Sequence, residues 1–503
     1  MKSANNRNFI SIKDISREDI ENIIELSRRY KEINGPLIDT KRIELSKKKI
    51  ASLFFEESTR TRVSFETAAR NLGMEVNGFS GVEGTSVKKG EPLVDTGKMF
   101  SGYGYDAIIV RHNLAGASRF LSDHLSIPII NAGDGSSGHP SQTLLDLYTI
   151  SEAFGSLDGL HVALVGDLRY GRTVHSLLQA AELFNMKITL YSPPGLSMPE
   201  WRIEDYERAT GKQVVVASDL TDVLEHADVL YVTRIQRERF ALGPEGEAEF
   251  KKHQGRYRIN RELLESSAKK NLIVLHPLPR DKNCIEIHPD VDSTPYARYF
   301  HQAQNGLYVR MAILTTILKQ GFEGRQYPNR IQSPSWVDLP VANGNKKGEK
   351  LVYRLDEGTL IDHLEVNQAP RIYNLLGLDK FGTSDHSEIV LCMNIRSQKF
   401  SRKDVVAIHK VKLSPEQMYK VALLAPEHTI NIIKKNRVVQ KQKAKLPSPL
   451  RAIITCANPI CVSRKEHNEY APSVFYVEKH DPLEVRCHYC EQTLTREHIE
   501  LDC

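Results

Sequence analysis

Nothing in the 503-residue sequence approaches the run of ~18 apolar residues that a membrane-spanning helix needs. The opening MKSANNRNFISIKD has no apolar core of the kind a secretory leader carries, so a cytoplasmic location is the expectation. Charge of one sign is scarce: a net charge of +5 over this length gives little support to a nucleic-acid partner. Cysteine is sparse and uneven, with Cys284 and Cys392 isolated and five of the seven in the last 48 residues. No G-x-x-x-x-G-K-[ST] occurs, so an anion would not be held as in the common ATPases. The segment GDLRYGRTVHS lacks the G-x-G-x-x-G spacing, which argues against a dinucleotide site there. No nucleophile elbow and no obvious catalytic metal set is present. What remains, at 40% hydrophobic and 26% charged residues, is the composition of a soluble globular chain, long enough for roughly three or four domains.

The residues that are there fall into an order. Up to about residue 320, strand-like apolar runs alternate with helical patterns, which predicts an α/β fold with parallel sheets. The runs are IASLFF, DAIIV, IPIINA, LHVALVG, KITLYS, QVVVA, VLYVT and NLIVLHPLP. They divide into halves at 1–148 and 149–324, joined by the helix QTLLDLYTISEAFG, with a last helix over 305–321 closing the second half. Residues 325–350, rich in Pro, Asn, Gly and Lys, read as a linker. An α+β pattern follows over 351–448, and a small cysteine-bearing unit over 449–503.

The first functional signal is FFEESTRTRVSFE, residues 54–66. KKKIASLFF before it has strand character, and VSFETAARNLG after it places Phe65, Ala68, Ala69 and Leu72 on one helical face. Ser58 to Arg62 is then the first turn of a helix leaving a strand. It carries Arg60 and Arg62 where the helix dipole favours acidic residues. Surface arginines are tolerated there at a cost of a few tenths of a kcal/mol each. The same turn, with free N–H groups, the hydroxyls of Ser58, Thr59 and Thr61 and a guanidinium, is also a site for a phosphate dianion.

Ligands bind at the carboxyl ends of parallel strands, and those ends are consistent in kind. They carry Arg111 and His112 after DAIIV, His139 and Gln142 in GDGSSGHPSQ, Arg172 in DLRYGRTVHS, Arg234, Gln236, Arg237 and Arg239 after VLYVT, and His276, Pro277, Leu278 and Pro279 after NLIVL. The loop GTSVKKGEP adds Thr85, Ser86, Lys88 and Lys89. Each alone is ordinarily structural. Together these cations and hydroxyls suit polyanionic substrates and charge stabilisation rather than covalent catalysis.

In order, S-T-R-T-R opening a helix, the loop ending KKGE, the arginine after IIV, HPSQ, YGRTVHS, TR-x-Q-x-ER and HPLPR resemble the catalytic chain of the aspartate carbamoyltransferase family over nearly all of residues 1–320. The resemblance implies transfer of a carbamoyl group from carbamoyl phosphate to the amine of L-aspartate, the committed step of pyrimidine synthesis. It implies that Ser58, Thr59, Arg60 and Thr61 hold the phosphate, and that Arg111 reaches both phosphate and carbonyl oxygen. His139, with Thr61 and Arg111, would polarise the carbonyl, while Gln142 and the backbone carbonyls of Pro277 and Leu278 would orient the carbamoyl NH₂. Arg172, Arg234 and Gln236 would bind the aspartate carboxylates. Lys89 and the hydroxyl of Thr85 or Ser86 match a loop that enters the site from a neighbouring subunit, which implies catalytic trimers. Glu56 matches a residue that supports domain closure. No catalytic cofactor is implied. The ornithine carbamoyltransferases share S-T-R-T-R, but they carry HCLP where Pro277 stands here, and they need an anionic partner that the cationic TRIQRERF does not offer.

Cys456, Cys461, Cys487 and Cys490, spaced C-x4-C-x25-C-x2-C, read as a closed structural Zn²⁺ site with one metal per chain, and Cys503 as no ligand. A zinc ribbon behind KKNRVVQKQKAK also admits a nucleic-acid-binding module. Few aromatics interleave with those lysines, so a solvated or interface strand is preferred. GTLIDHL, SRKDVV, LAPEHTIN, VVQK and then four cysteines resemble the regulatory chain of the same family over about 350–503. The resemblance implies a regulatory region fused behind the catalytic one, and a nucleotide-effector site at Asp362, His363, Lys403, Asn431, Val438 and Lys441. Two positions depart from the pattern: Ala407 replaces a lysine and Asn436 a tyrosine, and Asp356 adds negative charge nearby. Weak or absent CTP inhibition is the expectation.

Overall fold

The computed structural model describes residues 7–33, 45–236, 244–253, 257–280, 286–322, 335–339, 355–380, 388–397 and 400–501. Arg237, Arg239, Cys284 and Cys503 lie outside them. The chain forms two compact units, one of Met1–Tyr327 with Ile460–Val462 and His467–Glu469, the other of the remaining residues from Pro328 to Cys503.

The first unit contains two parallel sheets. The first has the order β2-β1-β3-β4, with β1 Lys49–Phe54, β2 Glu75–Ser80, β3 Ala107–His112 and β4 Ile129–Asp134. The second has the order β7-β6-β5-β8-β9, with β5 His161–Val165, β6 Lys187–Tyr191, β7 Val215–Val216, β8 Val229–Val232 and β9 Ile273–Leu275. The central strands are buried along almost their whole length, the condition of a parallel sheet covered on both faces, and this is why they read as unbroken apolar runs. β2 was not among the expected strands. Its sequence EVNGFS has no apolar run because it is a solvent-facing edge.

The helix Tyr299–Lys319 begins six residues before the expected 305 and packs against the helices Arg17–Glu32, Pro140–Phe154 and Thr59–Asn71. In the first sheet the chain runs outward from β1 to β2 and returns on the other side as β3. In the second it runs outward from β5 to β7 and returns as β8. The strand order thus reverses between β1 and β3 and between β5 and β8, the two places where an open α/β sheet leaves a crevice for ligands.

The second unit is α+β, as expected. Its six-stranded antiparallel sheet has the order β10-β15-β14-β11-β13-β12, with β10 Ser335–Asp338, β11 Gly358–Leu364, β12 Ile389–Ser397, β13 Ser401–His409, β14 Thr429–Lys434 and β15 Arg437–Lys445. β10 corrects the reading of 325–350 as linker throughout. Ser335 to Asp338 pairs antiparallel with Lys445 to Gln442, occupying an edge of β15 that would otherwise present unpaired N–H and C=O groups. Small antiparallel strands, including Ile454–Thr455 and Leu483–Cys487, carry the cysteine-bearing region.

Candidate active site

The turn after β1 is built as the sequence predicts. Ser58 is the N-cap of the helix Thr59–Asn71, in extended conformation (φ −159°), and makes no side-chain capping bond. No acidic residue lies in the first turn, so its N–H groups and dipole are left to a ligand. Arg60 is lowered from the ordinary arginine value by desolvation and by the charge of Arg234, which brings the end of β8 to this turn. Thr61 is buried, and its hydroxyl lies 3.5 Å from Nε2 of His139.

His139 caps the N-terminus of the helix Pro140–Phe154. Its backbone N–H donates to the Ser176 hydroxyl at 2.8 Å, and its Nδ1 is 3.4 Å from the Ser141 hydroxyl. Burial, reinforced by Arg111, Arg172 and Arg310, holds the imidazole well below its usual pKa. It is therefore neutral at pH 7, able to donate one hydrogen bond without carrying charge. Gly133 (φ 114°) makes this convergence possible: a Cβ there would stand 3.2 Å from Arg111 Nη1, 3.4 Å from Arg172 Nη1 and 3.4 Å from His139 Cδ2. Sequence reasoning missed Gly133, whose role depends on Arg111 and Arg172, distant in the chain, converging on it beside His139.

Glu56 joins the two switch points. Arg111, at the end of β3, donates from Nη2 to Glu56 Oε1 at 2.7 Å and from Nη1 to the Ala132 carbonyl at 3.3 Å. Arg172, opening the helix that follows β5, donates from Nη1 to Glu56 Oε2 at 3.2 Å and from Nη2 to Oε1. Both guanidiniums are about nine-tenths buried, where a shared carboxylate offsets their desolvation and mutual repulsion.

After β9, Leu278 takes a left-handed conformation (φ 55°) that costs a non-glycine residue on the order of 1–2 kcal/mol. Its N–H donates to His276 Nδ1 at 2.8 Å. That bond leaves the His276 proton on Nε2, 2.8 Å from Glu286 Oε1. The His276 N–H donates to Gln302 Oε1 at 2.9 Å. Gln142 donates from Nε2 to Asp146 Oδ1 at 2.9 Å. Gln236 follows β8 beside Arg234. Of the expected residues, Arg60, Thr61, Arg111, His139, Arg172 and Arg234 thus gather at one place.

The loop set does not. Thr85 donates its hydroxyl to the Val82 carbonyl at 2.7 Å, Ser86 opens a short 3-10 turn, and the exposed Lys89 ammonium makes no hydrogen bond or ion pair among the described residues.

Cys456, Cys461, Cys487 and Cys490 are all buried, with their sulfurs within 4.8 Å of one another. Cys456 Sγ and Cys490 Sγ lie 3.5 Å apart, far beyond a disulfide and near the separation of two thiolates on one tetrahedral Zn²⁺. The donor set fits a closed, structural zinc.

The expected effector residues share neighbouring strands. β11 bulges between Ile361 and Leu364, at Asp362 and His363. Lys403 Nζ lies 2.6 Å from Asp362 Oδ1, and Asn431 pairs with Lys441 across β14 and β15, with Val438 further along β15. Ala407 is buried in β13. The Asn436 backbone N–H donates to the Asp356 backbone carbonyl at 3.0 Å, so the main chain at Asp356 runs beside the replaced position.

Comparison with known proteins covers the chain in four parts. Residues 7–152 match the family model for the aspartate/ornithine carbamoyltransferase carbamoyl-P binding domain, and 158–317 that for the Asp/Orn binding domain. Residues 350–445 match the aspartate carbamoyltransferase regulatory chain allosteric domain, and 449–500 its metal binding domain. The aspartate carbamoyltransferase catalytic subunit of Archaeoglobus fulgidus is 49% identical over 313 residues, 62% of this chain and 99% of that protein. The same subunit of Thermococcus kodakarensis is 50% identical over 309 residues, 61% of this chain and 96% of that one. Among solved structures, Trypanosoma cruzi aspartate transcarbamoylase in complex with carbamoyl phosphate and aspartate is 35% identical, with a TM-score of 0.56 over 62% of this chain and 97% of that chain.

Proposed function

Because the chain belongs to the aspartate/ornithine carbamoyltransferase family and carries both regulatory-chain domains behind the catalytic ones, we propose that it works as a fused catalytic–regulatory aspartate carbamoyltransferase with the roles assigned below. The enzyme transfers the carbamoyl group of carbamoyl phosphate to L-aspartate, giving N-carbamoyl-L-aspartate and phosphate.

Ser58, Thr59, Arg60, Thr61 and Arg111 hold the phosphate at the uncapped helix start. The observation that carries this assignment is the neutral, buried His139 placed 3.5 Å from Thr61 among three arginines. With Thr61 and Arg111 it polarises the carbonyl oxygen. Gln142 and the carbonyls of Pro277 and Leu278 accept from the carbamoyl NH₂. Arg172, Arg234 and Gln236 take the aspartate carboxylates, with Arg172 turning from Glu56 to share its guanidinium. The neutral amine of aspartate attacks the carbonyl carbon, negative charge gathers on the carbonyl oxygen, and the C–O bond to phosphate breaks. The departing phosphate accepts the amine proton, so no protein base is needed.

Lys89, with Thr85 or Ser86, completes the site of a neighbouring subunit, and the catalytic units form trimers. The chain divides at 148/149, 324/325, 350/351 and 448/449, allowing for β10 within the third segment. The Zn²⁺ held by the four cysteines is structural. The enzyme works in the cytoplasm; no helix among the described residues is long and apolar enough to cross a membrane. Nucleotide effectors act weakly: Lys403 is already paired with Asp362, and Ala407 supplies no charge. The test is phosphate release from carbamoyl phosphate with aspartate or ornithine as acceptor. Turnover with ornithine alone would overturn the substrate assignment.

A further inference from the structure

Two parts of the site come from distant stretches of chain and yet meet on one oxygen atom. Asp146 lies on the helix Pro140–Phe154, fully buried. Its Oδ1 accepts from Gln142 Nε2 at 2.9 Å, one turn back on the same helix, and from Gln302 Nε2 at 2.6 Å, on the helix Tyr299–Lys319. Gln302 is only 1% exposed, and its own carbonyl accepts the His276 N–H at 2.9 Å. His276 in turn accepts the Leu278 N–H at 2.8 Å. A continuous run of hydrogen bonds therefore links Gln142, Asp146, Gln302, His276 and Leu278.

An amide side chain has a donor end and an acceptor end of nearly the same shape, so only its partners decide which faces a ligand. Asp146 Oδ1 takes the donor end of Gln142 and thereby leaves its carbonyl oxygen for the ligand. A flipped Gln142 would set its NH₂ against the NH₂ of the substrate, two donors with no acceptor. Through Gln302 the same oxygen also anchors the backbone that carries the Pro277 and Leu278 carbonyls. We infer that Asp146 is a positioning residue that locks these acceptors toward the carbamoyl nitrogen, and so selects a carbamoyl group over an acyl group lacking N–H donors. The inference rests on the proposed role of Gln142, Pro277 and Leu278. Burial lifts the Asp146 carboxyl to about 7 against the lowering effects of Gln302, Gln142, Tyr231 and Arg310. A carboxyl kept here at that cost fits a role beyond packing.

Acetyl phosphate is the discriminating probe, since it keeps the phosphate and the carbonyl and replaces NH₂ with methyl. Affinities for carbamoyl phosphate, acetyl phosphate and inorganic phosphate are measured calorimetrically on the full chain and its variants. Asp146→Ala should weaken carbamoyl phosphate about tenfold or more, as expected for a misdirected buried hydrogen bond, and leave the other two within about twofold. Asp146→Asn, whose amide oxygen can accept from both glutamines, should recover most of the loss. Gln302→Ala, which cuts the link to His276 without removing the carboxyl, should show the same selectivity and serves if Asp146→Ala does not fold. Gln142→Ala separates the two levels. If it leaves carbamoyl phosphate affinity unchanged, the assignment of Gln142 fails and the inference with it. If it is selective while Asp146→Ala and Gln302→Ala weaken all three ligands equally, or none, the inference alone is overturned.

Discussion

Arg62 donates from Nη1 to Glu66 Oε1 at 3.2 Å, one helical turn on, whereas Arg60, two residues earlier, has no carboxylate partner among the described residues. The two cations at this helix start are therefore different in kind. Arg62 belongs to an i,i+4 pair on the helix surface, of the sort worth a few tenths of a kcal/mol. Arg60 lies in the uncapped first turn, within the field of Arg234. Arg60→Ala should lower kcat/KM by about 10²–10³-fold, the range for removing one stabiliser of developing charge. Arg62→Ala should stay within a few-fold of wild type. Steady-state kinetics on the two variants decide it, and near-normal turnover by Arg60→Ala would remove the phosphate cradle.

Subunit sharing predicts complementation. Lys89→Ala and His139→Ala chains, each inactive alone, should regain activity when mixed and allowed to exchange, because some hybrid sites then hold both residues intact. Absence of recovery, with exchange shown by mass spectrometry, would mean that one chain builds the whole site.

The buried histidines set an acid limit. Burial lowers His112 to about 4 and His175 to about 3, and His139 is held well below its usual value. Each takes up a proton on unfolding below the unfolded value of about 6.5. The stability that they contribute is present above that pH and lost as pH falls toward their folded values. Asp146, raised to about 7, acts oppositely: its contribution is full below the unfolded carboxylate value and lost as pH rises through 7. His276 and His161 are shifted in the same direction, so the histidines outweigh the one carboxyl and stability should fall as pH drops between about pH 6 and pH 4.5. Urea denaturation of the first unit's signal across that range should show a falling midpoint, and a flat profile would contradict the neutral state of these rings.

Regulation should be weak. Loss of an ammonium contact at Ala407 corresponds to about 1.5–3 kcal/mol, tenfold or more in affinity. Aspartate saturation curves should shift little with CTP or ATP at physiological concentrations. A large, saturable CTP inhibition, lost in Lys441→Ala, would show a working effector site.

Metal analysis should find about one zinc per chain, lost when Cys487 and Cys490 are both changed to Ser. Because closed thiolate sites contribute to folding rather than chemistry, metal loss should lower the thermal stability of the C-terminal region. An unchanged melting profile after zinc removal would refute a structural role.

Much of this molecule is written locally, and that part the sequence determined by itself. A strand, a turn and a helix start are neighbours in the chain, so S-T-R-T-R, HPSQ and the arginines at strand ends announce their place before any folding is considered. The thiol spacing does the same for the metal. β2 and β10 escaped notice because an edge strand is defined by its partner's free backbone, not by an apolar run of its own. Tertiary structure alone decided that Glu56 would lie between Arg111 and Arg172, that Gly133 would leave room for both beside His139, and that Gln302 would reach Asp146 from 156 residues away. In sequence Asp146 and Gln302 are unremarked polar residues on helices. What each does is a property of the pair, and a pair exists only when the two sheets and the helix Tyr299–Lys319 have packed and excluded water from between them.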